Sequence, residues 1–155
     1  MLACSSLARR TRMLVRGSCH CGNIGFALDW RPDPEDIPAR ACSCSFCRKH
    51  GGVWTACPEG ALTVRIKDPA KVSAYRFGTK TADFHVCASC GAVPVVSSRI
   101  DGRLHAVVSV LAFDDVDPAR LRQVPVSYDG EDEASRLARR ATHWIPNVEF
   151  VQGGM

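Results

Sequence analysis

The sequence lacks any long apolar run, and no stretch approaches the roughly 20 residues that a membrane-spanning helix requires. Internal repeats and low-complexity segments are also absent, which excludes a repeat architecture. No apolar secretory segment precedes the cysteines, so we expect a reducing, cytoplasmic location in which disulfides are rare.

A strong excess of one charge is missing as well. The formal net charge is +4, but residues 1–12 contain Arg9, Arg10 and Arg12 and no acid. Removing these three from the 20 basic residues leaves 17 against 16 acidic residues in the remaining chain. This near-neutral body disfavours a nucleic-acid partner.

What is present is an ordinary globular composition, with 46% hydrophobic and 23% charged residues. A chain of 155 residues is long enough for one domain with its own core. We therefore predict one domain over residues 13–155, preceded by a disordered extension over residues 1–12.

Apolar residues alternate along several short stretches, which is the period of half-buried strands. One such stretch is "GNIGFALDW" (22–30), and another is "ALTVRIKD" (61–68). Further candidate strands lie at 72–77, 92–98, 103–111 and 124–128. The prediction is a mainly β fold.

Two segments interrupt this pattern. "RPDPEDIPAR" (31–40) holds three prolines, which predicts a linker rather than a helix or a central strand. "EDEASRLARRA" (131–141) has acids at its start and arginines at its end, which predicts a short surface helix with a solvated basic face.

Nine cysteines are the unusual feature of the composition. Seven fall into three groups, and their regular spacing in a reducing location indicates metal binding rather than simple burial. The groups are "CHC" (Cys19, Cys21), "CSCSFC" (Cys42, Cys44, Cys47) and "CASC" (Cys87, Cys90).

Seven thiols divide most simply into four and three. Four thiolates close a structural zinc site, whereas three leave a position for water or substrate. Spacing alone leaves the grouping open, because Cys44 and Cys47 with Cys87 and Cys90 would form an ordinary zinc ribbon, which is often a binding module.

The stretches "GSCHCGNIGF", "CSCSFCRKHGG" and "YRFGTKTADFHVCASCG" resemble, in order and spacing, the CENP-V/GFA family of glutathione-dependent formaldehyde-activating enzymes and centromere protein V. The resemblance covers about residues 15–115. It implies an Mss4-like fold of small antiparallel sheets held by two zinc ions. It also implies a structural zinc on Cys19, Cys21, Cys87 and Cys90 and a second, catalytic zinc on Cys42, Cys44 and Cys47.

The activity implied by the resemblance is that of a carbon–sulfur lyase, which forms or cleaves an S-hydroxymethylglutathione-like adduct of a thiol and an aldehyde. The expected partners are therefore a small thiol such as glutathione and an aldehyde, with no nucleic acid and no membrane. The alternative is a non-catalytic zinc-stapled β domain that binds another protein.

Residues beside the cysteines offer secondary candidates. Arg48 and Lys49 could attract the carboxylates of a peptide-like thiol, or they could form a solvated turn. In the alternative function, His50 or Cys57 could cap the second metal, although ordinary structural roles are favoured for both.

Overall fold

The computed structural model describes residues 12–153. Residues 1–11 of the predicted extension lie outside this range, whereas Arg12 forms a salt bridge of 3.4 Å with Asp29. Within the described range the α-helices are α1 (Ser45–His50) and α2 (Glu133–His143). The strands are β1 (Met13–Ser18), β2 (Ile24–Trp30), β3 (Ile37–Cys42), β4 (Val53–Thr55), β5 (Ala61–Ile66), β6 (Val72–Tyr75), β7 (Asp83–Cys87), β8 (Val95–Ile100), β9 (Arg103–Ser109), β10 (Leu121–Val126) and β11 (Asn147–Gln152).

The strands form two sheets, so the predicted mainly β fold with a short C-terminal helix is confirmed. One sheet has the order β1-β2-β5-β11, and the other has the order β10-β3-β4-β9-β8-β7-β6. Both sheets are mixed rather than purely antiparallel, because β11 runs parallel to β5 and β10 runs parallel to β3. Both parallel strands come from the chain after residue 120 and return to sheets built from earlier segments.

The alternating apolar residues of β2 and β5 form one side of the core, as their period predicts. In β2 every second side chain is buried, beginning with Ile24, and in β5 the buried residues are Leu62, Val64 and Ile66. One continuous cluster of buried residues joins these side chains to Val95 and other apolar residues of the larger sheet. The core therefore holds the two sheets together.

The prediction of a linker over residues 31–40 is wrong for its second half. β3 begins at Ile37, includes Pro38 and lies inside the larger sheet between β10 and β4. Within β3, only Arg40 and Ala41 pair with β4. Pro38 therefore lies outside the ladder with β4, where its missing N–H costs no hydrogen bond to that strand.

Candidate metal centres

The first candidate centre joins the two sheets. Cys19 and Cys21 lie in the turn between β1 and β2 of the smaller sheet, whereas Cys87 ends β7 of the larger sheet and Cys90 follows it. The four Sγ atoms lie within 4.8 Å of one another. The grouping that the family resemblance implies, rather than the ribbon of Cys44 and Cys47 with the last pair, is therefore the one that the fold brings together.

The sulfur spacing in this four-cysteine cluster suits a tetrahedral ion. The Sγ atoms of Cys19 and Cys21 are 3.8 Å apart, and those of Cys21 and Cys87 are 3.5 Å apart. Thiolates bound about 2.3 Å from a tetrahedral metal lie about 3.8 Å from one another. Burial raises the pKa of the Cys19 thiol to about 11, so a bound cation would have to displace its proton.

The second candidate centre is built by one short segment that runs from the end of β3 into α1. Cys42 ends β3, and Cys44 and Cys47 lie at the start and on the buried side of α1. Their Sγ atoms also lie within 4.8 Å of one another. Among residues 12–153, no further His, Cys, Asp or Glu ligand atom belongs to this three-cysteine cluster. The cluster could hold a metal ion.

The helix α1 orients two of these three thiols, and its basic residues are helical rather than part of the predicted solvated turn. Cys44 is the N-cap, and its Sγ accepts a hydrogen bond of 3.3 Å from the Cys47 amide. The helix ends in three basic residues followed by Gly51, which has a φ of 68°. Basic residues before a left-handed glycine are a helix-stop signal, and this signal could have identified α1 in the sequence.

Close packing fixes Cys47 in this cluster. Trp54 Nε1 donates a hydrogen bond of 3.3 Å to Cys47 Sγ, and both side chains are buried. A Cβ atom added to Gly52 would lie 2.9 Å from Trp54 Nε1 and 3.0 Å from Cys47 Sγ. Position 52 therefore requires glycine, because the Cys47 thiol and the Trp54 indole leave no room for a Cβ atom.

The thiols of this cluster share one proton network. The hydrogen bond from Cys47 lowers the pKa of Cys42 to about 5, and the positive charge of Arg139 acts in the same direction. The same hydrogen bond, together with burial, raises the pKa of Cys47. The contact between the two thiols thus makes Cys42 the more acidic of the pair, and an ionised thiol favours a cation.

The three-cysteine cluster opens onto a cavity of about 560 Å³, whereas no member of the four-cysteine cluster lines that cavity. The volume lies in the range of small-molecule sites. Aromatic and aliphatic side chains make up part of the wall, and arginines and one histidine make up another part. The apolar lining includes Trp54, Phe77, Phe84, Val96, Val107 and Trp144, and the basic lining comprises Arg40, Arg136, Arg139, Arg140 and His143.

The basic wall comes mainly from α2, and this corrects the prediction of a solvated basic face. Arg140 is only 6% exposed. Arg139 makes a two-pronged contact with Glu131, with N–O distances of 3.0 and 3.1 Å, and lies 3.6 Å above the Tyr128 ring. Arg48 and Lys49, the sequence-based candidates for attracting carboxylates, are exposed on α1 and do not line the cavity.

The remaining histidine and cysteine candidates have structural surroundings. His50 is exposed and stacks on Phe46, with ring centroids 4.4 Å apart. Cys57 is buried and donates its S–H to the Arg31 carbonyl at 3.4 Å. Neither residue belongs to the three-cysteine cluster. No sequence signal distinguished His143, which lines the cavity, from an ordinary histidine.

These features define a mainly β protein with a four-cysteine cluster that joins its sheets and a three-cysteine cluster beside a cavity. Residues 14–126 match the family described as glutathione-dependent formaldehyde-activating enzyme. The protein belongs to this GFA family, as its sequence motifs indicate.

The chain is also similar to two known proteins. A Halomonas elongata protein, provisionally named a glutathione-dependent formaldehyde-activating enzyme, is 30% identical over 110 residues, which cover 66% of this chain and 68% of the relative. A crystal structure of a Rhodobacter sphaeroides protein matches with a TM-score of 0.55 and 31% identity, covering 71% of this chain and 97% of that one. In the described range, no helix is long and apolar enough to cross a membrane.

Proposed function

We propose that this protein is a zinc-dependent carbon–sulfur lyase of the GFA type, which forms or cleaves an S-hydroxymethylglutathione-like adduct in the cytoplasm. The observation that carries the proposal is the position of the three-cysteine cluster beside the cavity, where a substrate can reach it. Membership of the GFA family supports glutathione and formaldehyde as the substrate pair.

Zinc is the metal that the donor sets favour. Both clusters offer only thiolate sulfur, which zinc binds in tetrahedral geometry. In the proposal the four-cysteine cluster holds a structural ion and the three-cysteine cluster holds a second ion with one position open. When bound there, zinc would supply the positive charge that favours the ionised form of a substrate thiol.

The reaction is an addition that balances without a further reactant. The thiol sulfur attacks the aldehyde carbon, a carbon–sulfur bond forms, and the thiol proton ends on the former carbonyl oxygen. Cleavage reverses each step. The role of the chain is to bind and orient: Trp54 fixes Cys47, and the aromatic side chains that line the cavity, including Phe84, offer the substrate an apolar surface.

The test compares Cys44→Ser with Cys57→Ser. Both substitutions replace a thiol by a hydroxyl, but only Cys44 belongs to a cluster, and a serine at position 57 can still donate to the Arg31 carbonyl. Native mass spectrometry counts metal ions per chain, and exchange NMR measures the interconversion of glutathione, formaldehyde and their adduct against the uncatalysed rate.

The expected result is two zinc ions and accelerated exchange in the wild type and in Cys57→Ser, with one ion and no acceleration in Cys44→Ser. A wild-type protein that holds two ions but never accelerates the exchange would refute the lyase proposal and favour the protein-binding module.

A further inference from the structure

Arg140 is a buried cation in the cavity wall, and among the described residues no carboxylate is in direct contact with it. Its side chain is 6% exposed, and Nη1 donates to the hydroxyl oxygens of Thr81 and Ser98 at 2.8 and 3.2 Å. The Trp144 ring lies 5.0 Å from the guanidinium carbon. Among the residues that the structure describes, Nε has no hydrogen-bond partner and no carboxylate forms a salt bridge with Arg140.

The other two arginines of α2 each form an ion pair, although Arg136 Nε, like Arg140 Nε, has no hydrogen-bond partner among the described residues. Arg139 and Arg136 share the carboxylate of Glu131, at 3.0 and 3.8 Å. Burial, and then the charges of Arg139 and Arg136, lowers the pKa of Arg140 to about 10. Arg140 is thus still protonated at neutral pH, in a setting where neutral hydroxyls do not offset the cost of burying its charge.

We propose that Arg140 binds the carboxylate of the substrate thiol and is the residue by which the cavity selects an anionic substrate. This inference rests on the proposed function and names its substrate class: a thiol that carries a carboxylate. A guanidinium matches a carboxylate because its N–H groups donate to both oxygens. Arg140 and the three cysteines line the same cavity, so one small molecule can contact both.

Arg140 lies outside the part of the chain that matches the GFA family. The match to the GFA family ends at residue 126, before α2 begins at Glu133. The cation therefore comes from a segment that the family match does not include. Substrate selection in this protein accordingly depends on its C-terminal helix, which is packed against the family core through contacts such as that of Arg140 with Ser98.

The test uses the metal-loaded full chain and three probes. Glutathione carries both a thiol and carboxylates, its diethyl ester keeps the thiol but masks the carboxylates, and S-methylglutathione keeps the carboxylates but blocks the sulfur. Calorimetric titration measures the dissociation constant of each probe for the wild type, Arg140→Gln and Arg140→Lys. Arg48→Gln is the matched control, because Arg48 is exposed and lies outside the cavity.

The expected result is that Arg140→Gln binds glutathione and S-methylglutathione about 10- to 100-fold more weakly, as loss of a charge-assisted hydrogen bond requires. The diethyl ester should bind the wild type and Arg140→Gln equally, Arg140→Lys should restore part of the affinity, and Arg48→Gln should match the wild type. Circular dichroism of each variant establishes that it is folded.

Two results would overturn the inference: unchanged glutathione binding by Arg140→Gln, or an equal loss for glutathione and its diethyl ester, which would indicate a structural role. Failure of the proposed function looks different. If S-methylglutathione binds the wild type and not Arg140→Gln, while the wild type never accelerates adduct exchange, the carboxylate site stands and the lyase proposal falls.

Discussion

Replacing Gly52 by alanine tests whether close packing sets the geometry of the three-cysteine cluster. Gly52 is buried and its amide donates to the Cys47 carbonyl at 2.7 Å. The new Cβ would lie 2.9 Å from Trp54 Nε1 and 3.0 Å from Cys47 Sγ, whereas ordinary contact begins at about 3.4 Å. The indole or the thiol must therefore retreat by about 0.4 to 0.5 Å.

This displacement is small for a protein core but large for a metal site. Overpacking of this kind costs about 1 to 3 kcal/mol of folding free energy. A metal site tolerates about 0.2 Å in its ligand distances, so the displacement of Cys47 or the weakening of its hydrogen bond from Trp54 should reduce metal affinity at this cluster by about 10- to 100-fold. The four-cysteine cluster, on other elements, should keep its ion.

The neighbouring residue provides the control. Gly51 has a φ of 68°, and a Cβ there would meet only Leu111, at 3.9 Å. Gly51→Ala should therefore cost about 1 kcal/mol through backbone strain, without displacing Cys47. Titration with a competing chelator, read by metal analysis, measures the affinities of both ions, and urea unfolding measures stability.

Two outcomes would show that the reasoning is wrong. Gly52→Ala could hold the second ion as tightly as the wild type, in which case the packing around Cys47 yields without effect. Alternatively, Gly51→Ala and Gly52→Ala could lose the second ion equally, in which case general destabilisation rather than the thiol contact sets the affinity.

The remaining predictions concern folding and pH. Cys87→Ser should unfold the domain, because Cys87 is fully buried in the cluster that joins the two sheets. Cys44→Ser should stay folded but lose the second ion. Equal melting temperatures for the two variants would contradict these different roles of the two clusters. The hydrogen bond from Arg139 lowers the pKa of Glu131. The Glu131 carboxylate therefore stabilises the fold fully above the unfolded-state pKa of about 4.3. This contribution to stability disappears as the pH falls through the lower native pKa. Glu131→Gln should therefore be about 1 kcal/mol less stable than the wild type at pH 7 and nearly equal to it at low pH, as measured by urea unfolding; a difference that does not vary with pH would exclude the ion pair as its cause.

Local sequence patterns predicted much of the fold because they report interactions between neighbours in the chain. The alternation in β2 and β5 matched their buried faces, and the charge pattern of α2 located that helix to within two residues at each end. The linker prediction was wrong at β3. The prolines disfavoured a helix and a central strand, but they could not show that β10 would pair with this segment.

The sequence alone determined the donor atoms of both clusters, because their spacing and the family motifs lie in short continuous stretches. Which thiols meet was decided by tertiary structure, since Cys21 and Cys87 are 66 residues apart and come together only when two sheets pack. Tertiary structure also decided which residues line the cavity, because they come from distant parts of the chain. In the sequence, a run of arginines on a polar helix cannot be distinguished from a solvated face. Only the packing of that helix buried Arg140 and made it line the same cavity as the three-cysteine cluster.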